Sequence, residues 1–350
     1  MEESREQVAA ALGARPSEIV FTSGGTEADN LALWGTLAAR RDADPRRRRI
    51  VVSGVEHHAV LDTVDFLVDH EGAEVTWVAP DTDGVVTPEA VRRAVETDPG
   101  SVALISVMWA NNEVGTVQDV EAIAEVAHEH GIPLHSDAVQ AVGHLPVDVT
   151  GSGVDLLSAT AHKLGGPMGV GALALKRDAA LVPLSHGGGQ ERGVRSGTLD
   201  VAAIRAFAVA LTESVAEIDP EAKRLAGLRD RLVESAVALG GGIRPGGFWR
   251  PGDLSRRLPG NAHLLVPGCD GDSLLYLLDA AGVECSTGSA CQAGVPRPSH
   301  VLLAMGLTDD EARGALRVTL GRTSDDGDVD AFLAALPAAL ERARRAAGAR

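Results

Sequence analysis

Through the first two thirds of the chain, short aliphatic runs alternate with longer stretches whose apolar positions recur at helical spacing. Ile50–Val52, Glu74–Val78, Val102–Val107 and Ile132–His135 read as buried strands, with helices expected at Thr26–Arg40, Val60–His70, Pro88–Glu96 and Gln118–His130. Alternation at this spacing builds parallel βαβ units, so the expected fold is α/β with a mainly parallel, doubly wound sheet. Such sheets bind ligands at the carboxyl ends of their strands, which makes the residues just past each strand the informative ones. From about Asp200 to Leu239 the pattern turns long and helical, with Pro220 as the expected break. The last third alternates again and closes in a helix over Val329–Ala346. The expected division is a large domain, residues 1–218, and a smaller C-terminal α/β domain, residues 219–350.

Composition narrows the function. The 350 residues are 45% hydrophobic and 23% charged, an ordinary globular profile. With aromatics at 3%, the core must rest on Ala, Val and Leu. A net charge of −17 argues against a nonspecific grip on nucleic acid or an anionic membrane. The run Arg46–Arg49, between a helix and a strand, is expected to be a solvated loop. Three cysteines (Cys269, Cys285 and Cys291) are too few and too odd for a disulfide framework. Met1-Glu-Glu-Ser-Arg lacks a signal-peptide layout, and no apolar run approaches the roughly 18 residues that span a bilayer. The expected location is the cytoplasm.

Candidate chemistry gathers at strand ends. Lys163, in Ala161-His162-Lys163-Leu164-Gly165-Gly166, follows the short run Leu156–Ala159. A lysine so placed can bind a carbonyl cofactor covalently when its surroundings favour the free amine. Asp137 follows the strand ending at His135, and a carboxylate there can face the pyridine nitrogen of pyridoxal phosphate. Gln140 could then reach the ring's phenolic oxygen. In Phe21-Thr22-Ser23-Gly24-Gly25-Thr26-Glu27 a strand runs through glycines into a helix, which offers backbone N–H groups and a positive dipole end to a phosphate, or is simply a capped helix start. Glu56-His57-His58, His128-Glu129-His130 and His135-Ser136-Asp137 offer poor metal geometry, because neighbouring side chains on one helix diverge and no His-Glu-x-x-His occurs. Cys291 lies in a small, glycine- and proline-bearing stretch where a thiol is accessible enough to act as a nucleophile, whereas Cys269 and Cys285 read as structural.

Taken in order, these motifs resemble the NifS/IscS-type cysteine desulfurases, pyridoxal phosphate enzymes of aminotransferase class V. The resemblance spans nearly the whole chain and rests on Ser23–Glu27, Glu56–Asp62, Asn111-Asn112-Glu113-Val114-Gly115, Asp137–Gln140, His162-Lys163, His186–Glu191, Arg195-Ser196-Gly197-Thr198, Gly288-Ser289-Ala290-Cys291 and Leu316-Arg317. It implies the fold type I architecture of such transferases. It also implies that Lys163 holds the cofactor and shuttles protons, Asp137 faces the ring nitrogen, Gln140 and Asn112 bond the ring-side oxygen, and His57 stacks on the ring. Gly25, Thr26, Thr160 and His162 would hold the phosphate, with Thr198 supplied by the neighbouring subunit of a homodimer. Arg317 would clamp the carboxylate of L-cysteine, and Cys291 would take its sulfur as a persulfide, releasing L-alanine. An iron–sulfur scaffold or a tRNA-thiolating enzyme would receive the sulfur. No resident metal is implied, Cys291 at most sharing an iron–sulfur cluster in passing with a scaffold. Family members begin further upstream, with a Tyr-Leu-Asp-x-Ala-Ala-Thr-Thr segment, so a chain starting at Met1 is expected to lack part of the small domain. The competing expectations are a selenocysteine lyase or other class V lyase or transaminase, and a truncated, non-catalytic sulfur-relay subunit.

Overall fold

The computed structural model describes residues 1–288 and 298–348. The chain packs as two compact units. The first comprises Met1–Ala79, Val86–Ala110 and Gln118–Ile218, the second Pro80–Val85, Asn111–Val117 and the chain from Asp219 onward.

The first unit is built on a seven-stranded sheet. Its strands are β1 (Ile19–Thr22), β2 (Arg49–Ser53), β3 (Glu74–Val78), β4 (Val102–Ser106), β5 (Leu134–Asp137), β6 (Leu156–Thr160) and β7 (Gly171–Leu175), in the spatial order β1-β7-β6-β5-β4-β2-β3. β3, β2, β4, β5 and β6 are mutually parallel. β7 runs antiparallel to both its neighbours, β1 and β6. Apart from β3, every strand is buried along its length, which explains the continuous aliphatic runs in place of alternation. The helices are α1 (Glu2–Ala11), α2 (Gly25–Ala43), α3 (His58–Glu71), α4 (Pro88–Glu96), α5 (Val120–Glu129) and α6 (Val201–Ala216). Leu33 and Leu37 of α2 and Val64 and Leu67 of α3 pack with Ile50 and Leu104 of the sheet into an aliphatic core. The chain order reverses between β2 and β4, the kind of switch point where open α/β sheets place ligands.

In the second unit, β8 (Arg244–Pro245), β9 (Asn261–Leu265) and β10 (Ala315–Thr319) form an antiparallel sheet in the order β10-β9-β8. It packs with α7 (Ile218–Ala238), α8 (Gly271–Asp279) and α11 (Asp326–Gly348), and the unit also holds α9 (His300–Ala304) and α10 (Asp309–Arg313). Leu232, Leu264, Leu274, Leu316, Phe332 and Leu336 form the core of this unit.

Four local expectations change. Glu74–Val78, expected as a buried strand, is the edge strand β3, with only Val78 buried. The break between α6 and α7 falls at Glu217, and Pro220 sits in the first turn of α7, where its missing N–H has no intrahelical acceptor to lose. β5 extends to Asp137, so this acid ends the strand and does not follow it. Arg49 is no loop residue: it is buried in β2 and donates to the Ala94, Val95 and Asp98 carbonyls at the end of α4. Arg46 and Arg48 remain exposed, paired with Asp44 and Glu74. No helix among the described residues is long and apolar enough to cross a membrane.

Candidate functional site

The carboxyl ends of β5 and β6 carry the first part of the site. The two strands are parallel neighbours with Asp137 opposite Ser158, so Asp137 and the Thr160–Lys163 turn leave the sheet side by side. Asp137 is buried, and its Oδ1 accepts the Val139 N–H at 2.9 Å. Burial first, and then the charge of Asp29, push its carboxyl up to about 8, while the Val139 N–H, His135 and Lys163 pull the other way. Lys163 itself is exposed, and its amine is close enough for its charge to act on Asp137.

The second part lies where β1 feeds α2. Nineteen residues of helix start at Gly25 with no side-chain cap on the first N–H groups, which leaves donors and a positive dipole end exposed. A Cβ on Gly25 would come within 2.7 Å of Val139 Cγ2 and 3.9 Å of Thr160 Cβ, so glycine is what lets this helix end approach β5 and β6. Thr160 Oγ1 is 3.0 Å from His162 Nδ1. Burial and then the Lys163 charge lower the pKa of His162, which favours the neutral ring. Gly171, opposite both Thr22 and Thr160, is a further forced glycine: its Cβ would lie 2.6 Å from the Ala159 carbonyl oxygen.

His57 is not on a helix but caps one. It is the N-cap of α3, exposed, and its Nδ1 accepts the Ala59 N–H at 3.1 Å, which puts the proton of a neutral ring on Nε2. Thr26 is exposed in the first turn of α2, Gln140 is half-buried and Thr198 exposed, and the side chains of Gln140 and Thr198 make no hydrogen bond among the described residues. Gly25, Thr26, His57, Asp137, Gln140, Thr160, His162, Lys163 and Thr198 all belong to the first unit, Asn112 and Arg317 to the second. In the second unit, Arg317 Nη1 donates to the Asn112 carbonyl at 3.0 Å, while its buried Nε has no hydrogen-bond partner among the described residues. An unpaired guanidinium donor suits an anionic ligand. Cys291 lies outside the described residues. Cys269 is buried and Cys285 half-buried, and burial pushes both thiols up, Cys285 to about 11, so neither is a ready nucleophile.

Sequence reasoning missed a buried acid cluster behind Asp137. Asp29 of α2 is 1% exposed, 3.5 Å from His135 Nε2, and burial lifts it to about 7. Glu56 is fully buried at the switch point, accepting from Ser53 Oγ and the Met108 N–H at 2.7 Å each. Burial, then the charges of Asp137 and Asp29, raise it well above the usual carboxylate range against those two bonds. His135, set aside as a metal ligand on geometry, bonds Ser106 and Ser158 at 2.9 and 3.1 Å, and burial lowers it to about 4. The available signal was an acid inside the apolar stripe of α2, between Ala28 and Leu31. Two motifs also work at a distance. Glu27 accepts from Arg195 Nε at 2.8 Å and from the Ser23 N–H, and Glu191 holds Arg5 through two bonds of 2.7 and 2.8 Å plus the Phe21 N–H.

Fold and site together define a transferase that carries an anionic cofactor at the carboxyl edge of a parallel sheet. The aminotransferase class-V family matches residues 1–332, and the chain belongs to that family. It is 56% identical over 347 residues to an IscS-like cysteine desulfurase of Mycobacterium tuberculosis, an alignment covering 99% of this chain and 87% of that protein. Among solved structures, a NifS-like protein superposes with a TM-score of 0.85 at 36% identity, covering 97% of this chain and 87% of that one. SspA, solved in complex with cysteine, superposes with a TM-score of 0.74 at 34% identity, covering 91% and 86%. Enzymes of this family depend on pyridoxal phosphate, as this one does. The residues fit that group: an uncapped helix start beside Thr160 for the phosphate, a buried acid for the ring nitrogen and an exposed amine within range of that acid.

Proposed function

We propose that this protein is a cysteine desulfurase, converting L-cysteine to L-alanine and carrying the sulfur as a persulfide on Cys291. What supports the reading is the placement of Lys163 just past β6, close enough for its charge to act on the buried Asp137 at the end of β5, in a chain 56% identical to an IscS-like cysteine desulfurase. When bound, pyridoxal phosphate supplies an electron sink for the bonds broken at the substrate's carbons. Lys163 would hold it through its amine and would move protons at the substrate Cα. Asp137, as the carboxylate, holds the charge of the ring nitrogen. Gln140 and Asn112 donate to the ring-side oxygen. His57, fixed by its bond to the Ala59 N–H, would hold the ring by contact with its imidazole. Gly25 and Thr26 offer backbone N–H groups to the phosphate, with Thr160 and His162 beside them. Arg317 presents its unpaired Nε to the substrate carboxylate.

The Cys291 thiolate attacks the substrate sulfur. The Cβ–S bond breaks and its electron pair stays with carbon, which takes a proton and leaves as alanine. The sum is enzyme thiol plus cysteine giving enzyme persulfide plus alanine, with no external oxidant. The acceptor of the persulfide is an iron–sulfur scaffold protein or a tRNA-thiolating enzyme, and the cytoplasm is the compartment for both. The active species is a homodimer in which Thr198 reaches the partner's phosphate; its exposed, unbonded hydroxyl supports this, as do Met168 at 86% and Val201 at 53% exposure. The test follows alanine and Cys291 persulfide by mass in the wild type, Lys163→Ala and Cys291→Ser. Cofactor absorbance lost in the first variant and turnover lost in the second, with absorbance kept, is the expected result. Full sulfur release by Cys291→Ser would overturn the reading.

A further inference from the structure

Glu113 belongs to the Asn111–Gly115 motif but has no part in the chemistry above. The turn that presents it is locked: Asn111 Oδ1 accepts the N–H groups of Glu113 and Val114, both at 2.9 Å, and Asn261 Nδ2 donates to the Glu113 carbonyl at 3.0 Å. Its side chain is 4% exposed and accepts a short hydrogen bond from Ser299 Oγ, which is itself buried. A Cβ on Gly288 would stand 3.4 Å from the same Glu113 Oε2. Gly288 and Ser299 thus flank, at one carboxylate, the stretch of sequence that contains Cys291.

The upstream flank is also tied to β10. Ser286 and Arg317 exchange both backbone hydrogen bonds, at 2.9 and 2.6 Å, and Ser286 Oγ accepts from the Gly288 N–H at 3.1 Å and from Arg317 Nη2 at 3.4 Å. Arg317 Nη1 reaches the carbonyl of Asn112, the residue before Glu113. Two branches of bonds in the second unit therefore start at the guanidinium assigned to the substrate carboxylate, one reaching Ser286 and Gly288 upstream of the thiol's segment, the other reaching Ser299 downstream of it through Asn112 and Glu113.

We infer that Glu113 is a positioning residue for sulfur transfer: its carboxylate holds Ser299, on the downstream flank of the Cys291 segment, to the turn whose Asn112 carbonyl bonds Arg317. The inference rests on the desulfurase reading for its consequence, while the bond set stands without it. A buried carboxylate receiving a hydroxyl is a charge-assisted hydrogen bond, and its loss reads as roughly a tenfold change in rate where that geometry matters.

Ser299 also caps α9, accepting the Leu302 N–H at 3.3 Å, so a purely structural role must be separated from this one. Ser299→Asp does so, because Asp is an equally good N-cap but sets a like charge against Glu113. The experiment uses the full chain loaded with cofactor and measures two quantities. One is the rate of Cys291 persulfide formation from cysteine in a single turnover. The other is the rate of Cys291 alkylation by iodoacetamide without cysteine, read by peptide mass. The expected result is that Ser299→Asp slows persulfide formation roughly tenfold and changes alkylation several-fold, with cofactor absorbance unchanged. Adding Glu113→Gln, which turns the repelling pair into a donor–acceptor pair, should restore most of both rates. If both rates in Ser299→Asp match the wild type, or if Glu113→Gln restores neither, the assignment of Glu113 is wrong. A wild type that forms no Cys291 persulfide overturns the desulfurase reading instead, and the alkylation arm still judges Glu113.

Discussion

Replacing Asp29 by Asn isolates one member of the buried acid cluster with almost no change of shape. The carboxyl lies on α2, faces His135 and Ser158, and shares the interior with Glu56 and Asp137, both of which feel its charge. Burial lifts it from 3.8 to about 7. Between those values the folded chain keeps a proton that the unfolded chain has released, so this group's contribution to stability falls as pH rises through that window and is level above it. Each pH unit costs about 1.4 kcal/mol, or about 4 kcal/mol over the whole window. Asn does not titrate. The stability of Asp29→Asn minus that of the wild type should therefore grow by roughly 2–3 kcal/mol from pH 5 to pH 7 and stay level to pH 8. Urea unfolding of the cofactor-free protein at four pH values measures the difference directly. Glu56, Asp137 and His135 are present in both proteins, so the difference reports Asp29 and its coupling to them. A difference that is flat with pH, or that shrinks towards pH 8, would refute the reasoning. The substitution also removes a like charge from Asp137, whose carboxyl should then titrate below its value of about 8.

Glu191→Ala strips the acceptor from buried Arg5 and from the Phe21 N–H, and should cost about 3–5 kcal/mol in urea unfolding; a loss under 1 kcal/mol would show that the pair is poorly formed. Gly171→Ala pushes a methyl group into the Ala159 carbonyl at 2.6 Å and the Gly24 backbone at 2.8 Å, where neither neighbour is a side chain that can swing away. It should lower stability by about 1–3 kcal/mol and weaken cofactor binding, read from absorbance during dilution; cofactor affinity equal to the wild type would argue that Gly24 and Thr160 do not frame the phosphate.

Most of the sheet was legible because β2, β4 and β5 are buried along their length and read as aliphatic runs without need of alternation. Pro88–Glu96 was legible to the residue, since Thr87 caps it and Pro88 opens it, two signals that act locally. β7 was missed: Gly-Ala-Leu-Ala-Leu has no β-branched residue, and its antiparallel place between β1 and β6 comes from pairing alone. That Asp137 and Lys163 share a strand edge could be read from the spacing of two βα units. The bonds of Glu27 to Arg195 and of Glu191 to Arg5 could not, because partners more than 160 residues apart leave no local trace. Asp29 was legible in principle, as the charged residue in an apolar stripe, but only the packed core shows that it faces His135.

These pairs change what a motif match means. Of the ordered motifs along the chain, Glu27, Arg195 and Glu191 bond other parts of the first unit, while Glu113 bonds other parts of the second and Asn111 closes its own turn. Gly171, outside any recognised motif, is as constrained as Gly25. A cofactor held as proposed, by a backbone helix end, one acid and one amine, would tolerate little displacement of any of them, and the surrounding charges hold the neighbouring loops in place. Glu27 shows the cost and its compensation together: burial raises its pKa, and the bonds from Arg195 and Ser23 bring it back below the ordinary value. The residues closest to the expected chemistry, Lys163 and Thr198, are by contrast exposed, and neither side chain makes a hydrogen bond among the described residues. Within these motifs, unspent hydrogen-bonding capacity on an exposed side chain separates candidate reactive groups from the residues that hold the scaffold.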